Sequence, residues 1–342
     1  MKITIKEIAA RAGVSKATVS RVLNQSKSVS EPVRERVQAV IDDCQFKPSA
    51  MARGLSTNKS HLIGIILPDL SNPVFSRMIA GMEASIRDKA YSLLIMATDF
   101  KVENKIQLIE ILKDKGVDGL VLVTDHGTQM LFETLKNFAR PTVIIGAETP
   151  IPEIPVIRID NYLASREAVQ YLIHAGHQKI AMIHGPLDDP QSGLARFMGF
   201  KDVMVENGLF DDHLTIGSWY GFEQGYHAMA QLLTKPNLPT AVFCACDLIA
   251  IGAMKAAMEN GISVPAQMAF VGFDDVDVAK MYNPSLTTVR QPFEEKGRLA
   301  ITELIELIER YESGEPLEKA ACKVLAHKFV LRESSRTTIV RP

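Results

Sequence analysis

The sequence predicts an α/β protein with an all-α helix-turn-helix head over residues 1–48, a linker over 49–60 and a two-lobed, doubly wound parallel-sheet body over 61–342. Positive charge is concentrated at the amino end, where residues 1–60 carry a net charge of +6 against −8 for the remainder. From residue 61 onward, apolar strands alternate with helices, which is typical of parallel sheets. That alternation begins a second time 117 residues later.

The head is predicted to contain three short helices. The first follows Thr4, a residue type that caps helix amino ends, and its apolar side chains recur on one face. Gly13 ends this helix, because glycine adopts a left-handed turn without strain. Ser15 caps the second helix and Ser30 the third. Two short helices joined by a glycine turn form a helix-turn-helix, whose second helix enters the DNA major groove.

The outward face of the second helix is predicted to contact DNA. An arginine can fork onto a guanine edge, and hydroxyl and amide side chains can hold phosphates or bases. A hairpin of a generic helical bundle is the alternative, but the turn, the caps and the positive charge occur together here. The predicted DNA-binding residues of the head are Thr4, Ser15, Lys16, Ala17, Thr18, Ser20, Arg21 and Asn24.

The body is predicted to contain two copies of one doubly wound unit. LIGIILPDL holds its first buried strand, and the pattern restarts at HQKIAMIHGPL, with first strands near Ile63 and Ile180. Ligands bind at the carboxyl ends of the strands in such sheets. A cleft between the two lobes is therefore the expected ligand site.

Composition and motifs exclude several classes of protein. No apolar run approaches the roughly 18 residues of a membrane helix, and the amino end lacks the apolar core of a signal peptide, so a cytoplasmic protein is expected. The four cysteines form no C-x-x-C pair. The sequence has no phosphate-binding glycine loop, no G-x-S-x-G and no H-E-x-x-H. We therefore expect no enzyme activity, no cofactor, no metal and no membrane partner.

Several segments resemble one protein family. TIKEIAARAGVSKATVSRVLN is similar to the N-terminal signature of the lactose-repressor family of bacterial transcription regulators, and FKPSAMARGLSTNKS is similar to its hinge. SNPVF, RFMGF, PTAVFCACD, VGFDD and PSLTTVRQP resemble motifs of the family's effector domain. The resemblance covers essentially the whole chain. It implies a body like that of periplasmic sugar-binding proteins and a transcriptional repressor of a sugar-utilisation operon, located on the nucleoid.

The resemblance also implies a role for the hinge. In the family, the hinges of two subunits become helical on a pseudo-palindromic operator, and a leucine from each wedges into the minor groove. Leu55 matches that leucine, and Ala52 is a second expected DNA contact in the same segment. An apolar wedge unstacks a base step, and the resulting kink brings more protein against the duplex.

By the same resemblance, the chain is expected to cross between the lobes three times, near Asn161, Gln291 and Cys322. Lobe one would then cover about 61–161 and 291–321, and lobe two about 162–290 and 322–342.

The resemblance further assigns effector-binding residues in the cleft. Carboxylates and a guanidinium can bind paired sugar hydroxyls, and aromatic rings can stack on the apolar face of a pyranose. The expected effector-binding residues are Phe75, Glu148, Arg196, Trp219, Asp247, Asp274 and Gln291. Simple packing is the alternative role for Trp219, and a structural salt bridge is the alternative for Arg196.

Two departures from the family bear on the effector. Many sugar-responsive relatives carry asparagine where Cys246 stands, and the purine-responsive branch carries a basic residue where this chain has Asp188-Asp189-Pro190. The second departure argues against a purine and favours a neutral ligand, so a sugar is expected. A nucleoside effector, a phosphoprotein corepressor and, more remotely, a sugar-transport binding protein remain alternatives.

A homodimer is expected, because one head covers only one half-site of an operator. The tail after the predicted strand Lys328 to Arg332 has no apolar heptads, so no tetramer-forming coiled coil is expected. The predicted pairing surface is the helix in SRMIAGMEASIRD, through Met78, Ile79 and Met82.

Overall fold

A computed structural model describes residues 3–23, 28–44, 46 and 59–336. The chain divides into two compact units, Met1–Ser60 and His61–Pro342. The first contains the head, and the second contains the two-lobed body.

The described part of the head contains three helices: α1 (Ile5–Ala12), α2 (Lys16–Leu23) and α3 (Glu31–Asp43). Each helix is amphipathic, and their apolar faces meet in one small core. This core consists of Ile8, Ala9, Ala12, Val19, Val22, Val37 and Ile41.

Local hydrogen bonds set the helix boundaries of the head. Thr4 and Glu7 form a capping box, in which Thr4 N donates to Glu7 Oε2 at 2.7 Å and Glu7 N donates to Thr4 Oγ1 at 3.4 Å. Gly13 follows α1 with φ +65°, the left-handed conformation that the turn requires. Thr18 N donates to Ser15 Oγ at 3.1 Å, so Ser15 caps α2. Ser30 precedes α3, but its side chain makes no capping hydrogen bond.

The body alternates strands and helices as predicted. In chain order its elements are β1 (Leu62–Leu67), α4 (Pro73–Ile86), β2 (Ser92–Ala97), α5 (Val102–Asp114), β3 (Gly119–Thr124), α6 (Gln129–Phe138), β4 (Thr142–Gly146), β5 (Val156–Ile159), α7 (Asn161–His174), β6 (Ile180–His184), a π-helical turn (Pro190–Leu194), α8 (Ala195–Glu206), a 3₁₀ turn (Asp212–Leu214), β7 (Thr215–Gly217), α9 (Phe222–Leu233), β8 (Ala241–Cys244), α10 (Asp247–Glu259), β9 (Ala269–Asp274), α11 (Asp277–Met281), β10 (Thr287–Arg290), α12 (Phe293–Glu312), β11 (Cys322–Leu325), β12 (Lys328–Val330) and a 3₁₀ turn (Glu333–Ser335).

These elements form two lobes, each built on a six-stranded sheet. Lobe one has the strand order β11-β5-β4-β3-β1-β2, with parallel pairing throughout. Lobe two has the order β12-β10-β9-β8-β6-β7, in which only β12 is antiparallel to its neighbour. Helices cover both faces of each sheet with apolar side chains. Among the described helices, none has the length and apolar character needed to span a membrane.

Helix α12, the longest described helix, covers α4 in lobe one. The two helices approach closely at glycines: a Cβ added at Gly81 would lie 2.0 Å from the carbonyl oxygen of Glu294, and one at Gly297 would lie 2.0 Å from that of Met78. Met78 and Met82 are consequently buried, at 3% and 0% exposure. Met78 and Met82 therefore do not contribute to a subunit-pairing surface as predicted, because α12 covers them within the same chain, whereas Ile79 is only half-buried and pairing through this helix stays a prediction.

Between residues 61 and 336, the chain crosses between the sheets three times. The first two crossings lie near Asn161, between β5 and β6, and near Gln291, between β10 and α12, as expected. The third lies between Leu325 and Lys328, also near Cys322 as expected. Residues 322–325 were expected in lobe two, but they form β11, which pairs with β5 in lobe one. A short edge strand with alternating burial has too weak a sequence signal to reveal its sheet.

Candidate functional site

The described outward residues of the head lie on and before α2. Ser15, Lys16, Ala17 and Arg21 are exposed, whereas Thr18 and Ser20 are half-buried. Asn24, Ala52 and Leu55, which were also predicted to contact DNA, lie outside the described residues.

Three of the predicted DNA-binding hydroxyls already have partners within the head. The hydroxyls of Ser15 and Thr18 lie 2.9 Å apart within the α2 cap. Thr4 Oγ1 donates to Glu7 Oε2 at 3.0 Å, and hydrogen bonds from Thr4 lower the pKa of that carboxyl. The amino end of α2 therefore presents a capped, basic and solvent-exposed turn, the geometry that suits DNA phosphates and base edges.

In the body, the main cleft lies at the carboxyl ends of the two sheets and encloses about 260 Å³. Five of the seven predicted effector residues line it: Phe75, Arg196, Trp219, Asp274 and Gln291. They come from the start of α4, the start of α8, the loop after β7, the end of β9 and the second crossing. The rule that ligand-binding side chains follow strand ends in parallel sheets locates this cleft correctly.

A chain of buried polar side chains joins the two lobes at the cleft floor. Lys296 Nζ donates to Gln291 Oε1 at 2.6 Å, and Gln291 Nε2 donates to Asp274 Oδ1 at 2.7 Å. Arg196 Nη2 lies 3.8 Å from the same carboxylate oxygen. Arg196 Nε also donates to Asn161 Oδ1 at 2.9 Å. Each member of this chain orients the next, which limits the floor to one arrangement of donors and acceptors.

Asp274 holds a strained backbone conformation at this floor. Its φ is +115°, and that of Asp275 is +60°, and residues other than glycine rarely adopt positive φ values. Burial raises the pKa of the Asp274 carboxyl, while the charge of Arg196 and the hydrogen bond from Gln291 oppose that rise. Strain of this kind persists where the surrounding contacts enforce it, and it concentrates at functional sites.

Aromatic side chains form one wall and the rim of the cleft. Trp219 is 48% exposed, and its ring meets the edge of Phe100 with centroids 5.4 Å apart, which joins lobe two to lobe one. Phe75 lies deeper, at 9% exposure. The exposure of Trp219 disfavours a packing role and leaves its ring available to a bound molecule.

The predicted cleft position of Asp247 is wrong. This side chain is 1% exposed and does not line the cleft, because it turns beneath the sheet, where it accepts hydrogen bonds from Val276 N at 2.8 Å and Thr288 Oγ1 at 2.5 Å. Burial, followed by the nearby Asp274 carboxyl, raises the pKa of Asp247 well above its usual range. The preceding residue, Cys246, lines the cleft instead.

Glu148 also lies outside the cleft lining. Its side chain is 69% exposed and forms an ion pair with Arg158 at 3.2 Å. Arg158, from β5, does line the cleft. The sequence placed Glu148 correctly after β4, but the turn there directs the carboxylate outward.

A second group of polar side chains, not predicted from the sequence, joins the two lobes across the cleft. Ser192 Oγ in lobe two donates to Asp125 Oδ2 in lobe one at 2.9 Å, and His126 Nδ1 donates to the carbonyl oxygen of Asp188 at 2.9 Å. Asp189 accepts from Tyr220 OH at 2.7 Å. Asp125 directly follows β3, so the strand-end rule contained the signal that would have found it.

The Asp125 carboxyl has an unusual acidity. Burial, and then the charge of Asp189, raise its pKa to about 6, although the hydrogen bond from Ser192 works in the opposite direction. Asp125 can therefore change its protonation state near neutral pH while it takes part in a contact between the lobes.

Comparisons with known proteins agree with this architecture. The family model for bacterial regulatory proteins of the lacI family matches residues 4–49, and the model for the periplasmic binding protein-like domain matches residues 169–335. Catabolite control protein A of Priestia megaterium is 31% identical over 338 residues, covering 98% of this chain and 100% of that protein. The ribose operon repressor of Escherichia coli K12 is 36% identical over 307 residues, covering 89% and 93%. The repressor CytR of the same organism is 33% identical over 337 residues, covering 97% and 96%.

Solved structures show the same fold over 80–98% of this chain. The lac repressor dimer bound to operator and the anti-inducer ONPF matches with a TM-score of 0.85 at 26% identity, covering 98% of this chain and 100% of that one. A LacI family regulator from Enterococcus faecium with bound ribose matches with a TM-score of 0.70 at 26% identity, covering 80% and 98%. The chain belongs to the lacI family of bacterial regulatory proteins and is a DNA-binding transcriptional regulator, not an enzyme.

Proposed function

We propose that this protein is a homodimeric repressor that binds a pseudo-palindromic operator in the cytoplasm, on the nucleoid, and responds to a sugar in the cleft of its body. The observation that carries the proposal is the joint presence of an exposed, basic α2 in the head and a polar, aromatic-walled cleft in the body.

The head supplies the DNA contacts in this proposal. Arg21 is exposed on α2, where it can fork onto a guanine, and Lys16 stands at the amino end of α2 beside the backbone phosphates. The segment 49–60 serves as the hinge, with Leu55 as the minor-groove wedge and Ala52 beside it. Two copies are needed because a single head reads one half-site.

The body supplies the effector site. The relatives named for ribose support a sugar, and the lac repressor structure supports both a dimer and an operator complex. In this cleft, Arg196, Asp274 and Gln291 offer fixed donors and acceptors to hydroxyls, and Trp219 offers a ring face. A ligand bound to both walls changes the equilibrium between open and closed lobes.

This change in lobe closure alters the separation of the two hinges of a dimer and thereby its affinity for the operator. Allosteric coupling of about 1–3 kcal/mol is typical and corresponds to roughly a 5–150-fold change in affinity.

The test begins with the operator. Selection from a random duplex pool with the full chain should recover a two-fold symmetric sequence. A fragment that starts at His61 should retain ligand binding but lose all affinity for that sequence. Operator binding by the fragment would place the DNA-binding surface outside residues 1–60.

The effector is then sought by adding sugars and nucleosides to the protein–operator complex. A sugar that shifts operator affinity and changes Trp219 fluorescence supports the proposal. A response to nucleosides alone would replace the sugar by a nucleoside in the same cleft.

A further inference from the structure

The two walls of the cleft carry opposite charge. The charged residues that lobe one contributes to the lining are three cations and one carboxylate: Lys105, Arg158, Lys296 and Asp125. Lobe two contributes one cation and three carboxylates: Arg196, Asp188, Asp189 and Asp274. A ligand that fits both walls therefore meets a positive surface on one side and an acidic, hydroxyl-binding surface on the other.

The two lysines of lobe one are buried without a carboxylate partner. Lys105 and Lys296 are 5% and 6% exposed, and the described part of the chain places no carboxylate oxygen within 4.0 Å of either Nζ. Lys105 Nζ donates to Thr124 Oγ1 at 2.8 Å, and Lys296 Nζ donates to Gln291 Oε1. An ammonium group has three donors, so each lysine has two more to offer.

Buried ammonium groups are costly unless an anion compensates them. Burial lowers the pKa of both lysines, that of Lys296 to about 8. Burial therefore disfavours the charged form of each side chain. Asp125 and Asp189 act electrostatically on Lys105, and Asp125 and Asp274 act on Lys296, but none of these carboxylates lies within ion-pair distance of either Nζ. Within the described residues, neither buried ammonium group therefore has a carboxylate in direct contact.

Arg158 adds a third donor on the same wall. Its Nε is buried and has no hydrogen-bond partner among the described residues. Its Nη2 is held by Glu148 on the outer side, which fixes the guanidinium at the cleft edge.

Two of the three lobe-two carboxylates in the cleft lining already have partners. Asp274 is bound by Gln291 and lies near Arg196, and Asp189 accepts from Tyr220 and from two backbone N–H groups of the π-helical turn. Asp188 is exposed at the mouth. These groups can still accept hydrogen bonds from hydroxyls, but they do not approach the lysines closely enough to form ion pairs.

We propose that the effector is an acidic sugar, whose carboxylate or phosphate lies against Lys105 and Lys296 while its hydroxyls bind the Arg196–Asp274 side. This inference rests on the effector site proposed above and names its ligand class. It changes the expectation of a neutral ligand, because that expectation came from the loop at Asp188-Asp189, which lies on the opposite wall.

The first experiment compares matched ligands by calorimetry with the full chain. One set is D-glucose, D-gluconate and D-glucose 6-phosphate, and the other is D-ribose, D-ribonate and D-ribose 5-phosphate. In at least one set an acid should bind about tenfold or more tightly than its neutral sugar, as expected for a charge-assisted contact. Comparison of the carboxylate ligands with the phosphate ligands shows which of the two acidic groups the site binds more tightly. Neutral sugars that bind as tightly as both acids in each set would overturn the inference.

The second experiment tests the lysines themselves. Lys105→Met and Lys296→Met remove a buried charge and keep most of the side-chain volume, so the fold should tolerate them. Each should weaken binding of the acid by about tenfold more than it weakens binding of the neutral sugar. The control is Lys115→Met, an exposed lysine of lobe one outside the cleft. Equal losses for acid and neutral sugar would mean that the lysines serve only to close the lobes.

The third experiment does not depend on finding the natural ligand. Inorganic phosphate should raise the melting temperature of the body in the wild-type protein more than in the Lys105→Met/Lys296→Met variant, at ionic strength matched with chloride. Equal shifts in both proteins would refute the anion subsite.

These outcomes also separate the two proposals. If neutral sugars change operator affinity and acidic sugars do not, the proposed function is supported and the proposal of an acidic ligand is contradicted. If neither acidic nor neutral sugars change operator affinity, the proposal that the effector is a sugar is contradicted.

Discussion

Asp125→Asn should stabilise the body at neutral pH. Asp125 sits at the junction of the lobes, where burial and the charge of Asp189 disfavour its ionised form. Asparagine is nearly isosteric, carries no charge at any pH and can still accept the hydrogen bond from Ser192. The substitution therefore removes an electrostatic penalty and keeps the contact between the lobes.

The size of the effect follows from the raised pKa. A change from the usual value of 3.8 to about 6 corresponds to at most about 3 kcal/mol of destabilisation when the group is fully ionised. Because Asp125 is only half-buried, solvent screening reduces this figure, and we expect about 1–2 kcal/mol. For a body of this size, that gain raises the melting temperature by about 2–6 °C.

The pH dependence gives the sign of the effect. The pKa of Asp125 is higher in the folded than in the unfolded chain, so its ionisation opposes folding above about pH 6. The penalty fades as the pH falls from 6 towards 3.8, because the folded protein then holds the proton. The gain from Asp125→Asn should be full at pH 7.5 and mostly lost at pH 4.5.

The assay is thermal unfolding of the full chain, monitored by calorimetry at pH 7.5 and at pH 4.5. Asp114→Asn, at an exposed position at the end of α5, controls for the loss of one negative charge. A gain that is the same at both pH values, or as large in Asp114→Asn, would show that the local environment of Asp125 is not its cause.

Four further predictions concern DNA, ligand and assembly. Arg21→Ala should cost about 1–3 kcal/mol of operator affinity and relax preference at one base position, measured by anisotropy with single-base variants; a uniform loss would make Arg21 a phosphate contact. Leu55→Ala should reduce operator affinity and DNA bending but leave effector affinity intact. Unchanged bending in a circular-permutation gel would show that Leu55 is not a minor-groove wedge. Arg196→Ala and Asp274→Asn should each abolish the effector response while DNA binding persists, and wild-type effector affinity in calorimetry would place the site elsewhere. Light scattering should give about twice 37.7 kDa with and without effector, and a monomer or a tetramer would contradict the dimer.

Two contacts between the lobes use residues that also line the cleft. Ser192–Asp125 and His126–Asp188 join the lobes by side chains that also line the cleft. An effector that binds these groups must replace the contacts that it breaks. The equilibrium between the open and closed states then changes only by the difference in the effector's affinity for the two states. The Asp125→Asn variant therefore also tests whether protonation at this junction favours closure.

Sequence alone determined the features that depend on neighbours along the chain. Thr4, Gly13 and Ser15 set the boundaries of α1 and α2 through hydrogen bonds that reach at most five residues. Apolar runs located the central strands, and the strand-end rule placed Asp274 and Phe75 at the cleft. These predictions succeeded because local hydrogen bonding and strand order leave few alternatives.

Tertiary structure decided the features in which distant segments compete for one side chain. Met78 and Met82 are apolar in any context, but only the packing of α12, more than 200 residues later in the chain, covers them. Asp247 and Cys246 are adjacent, and the sheet beneath them decides which one faces the cleft. Lys105 and Lys296 lie on helices whose sequences do not reveal that their ends reach the same cavity. A side chain's direction at the end of a strand or helix depends on contacts with the whole fold, and these contacts leave no periodic signal in the sequence.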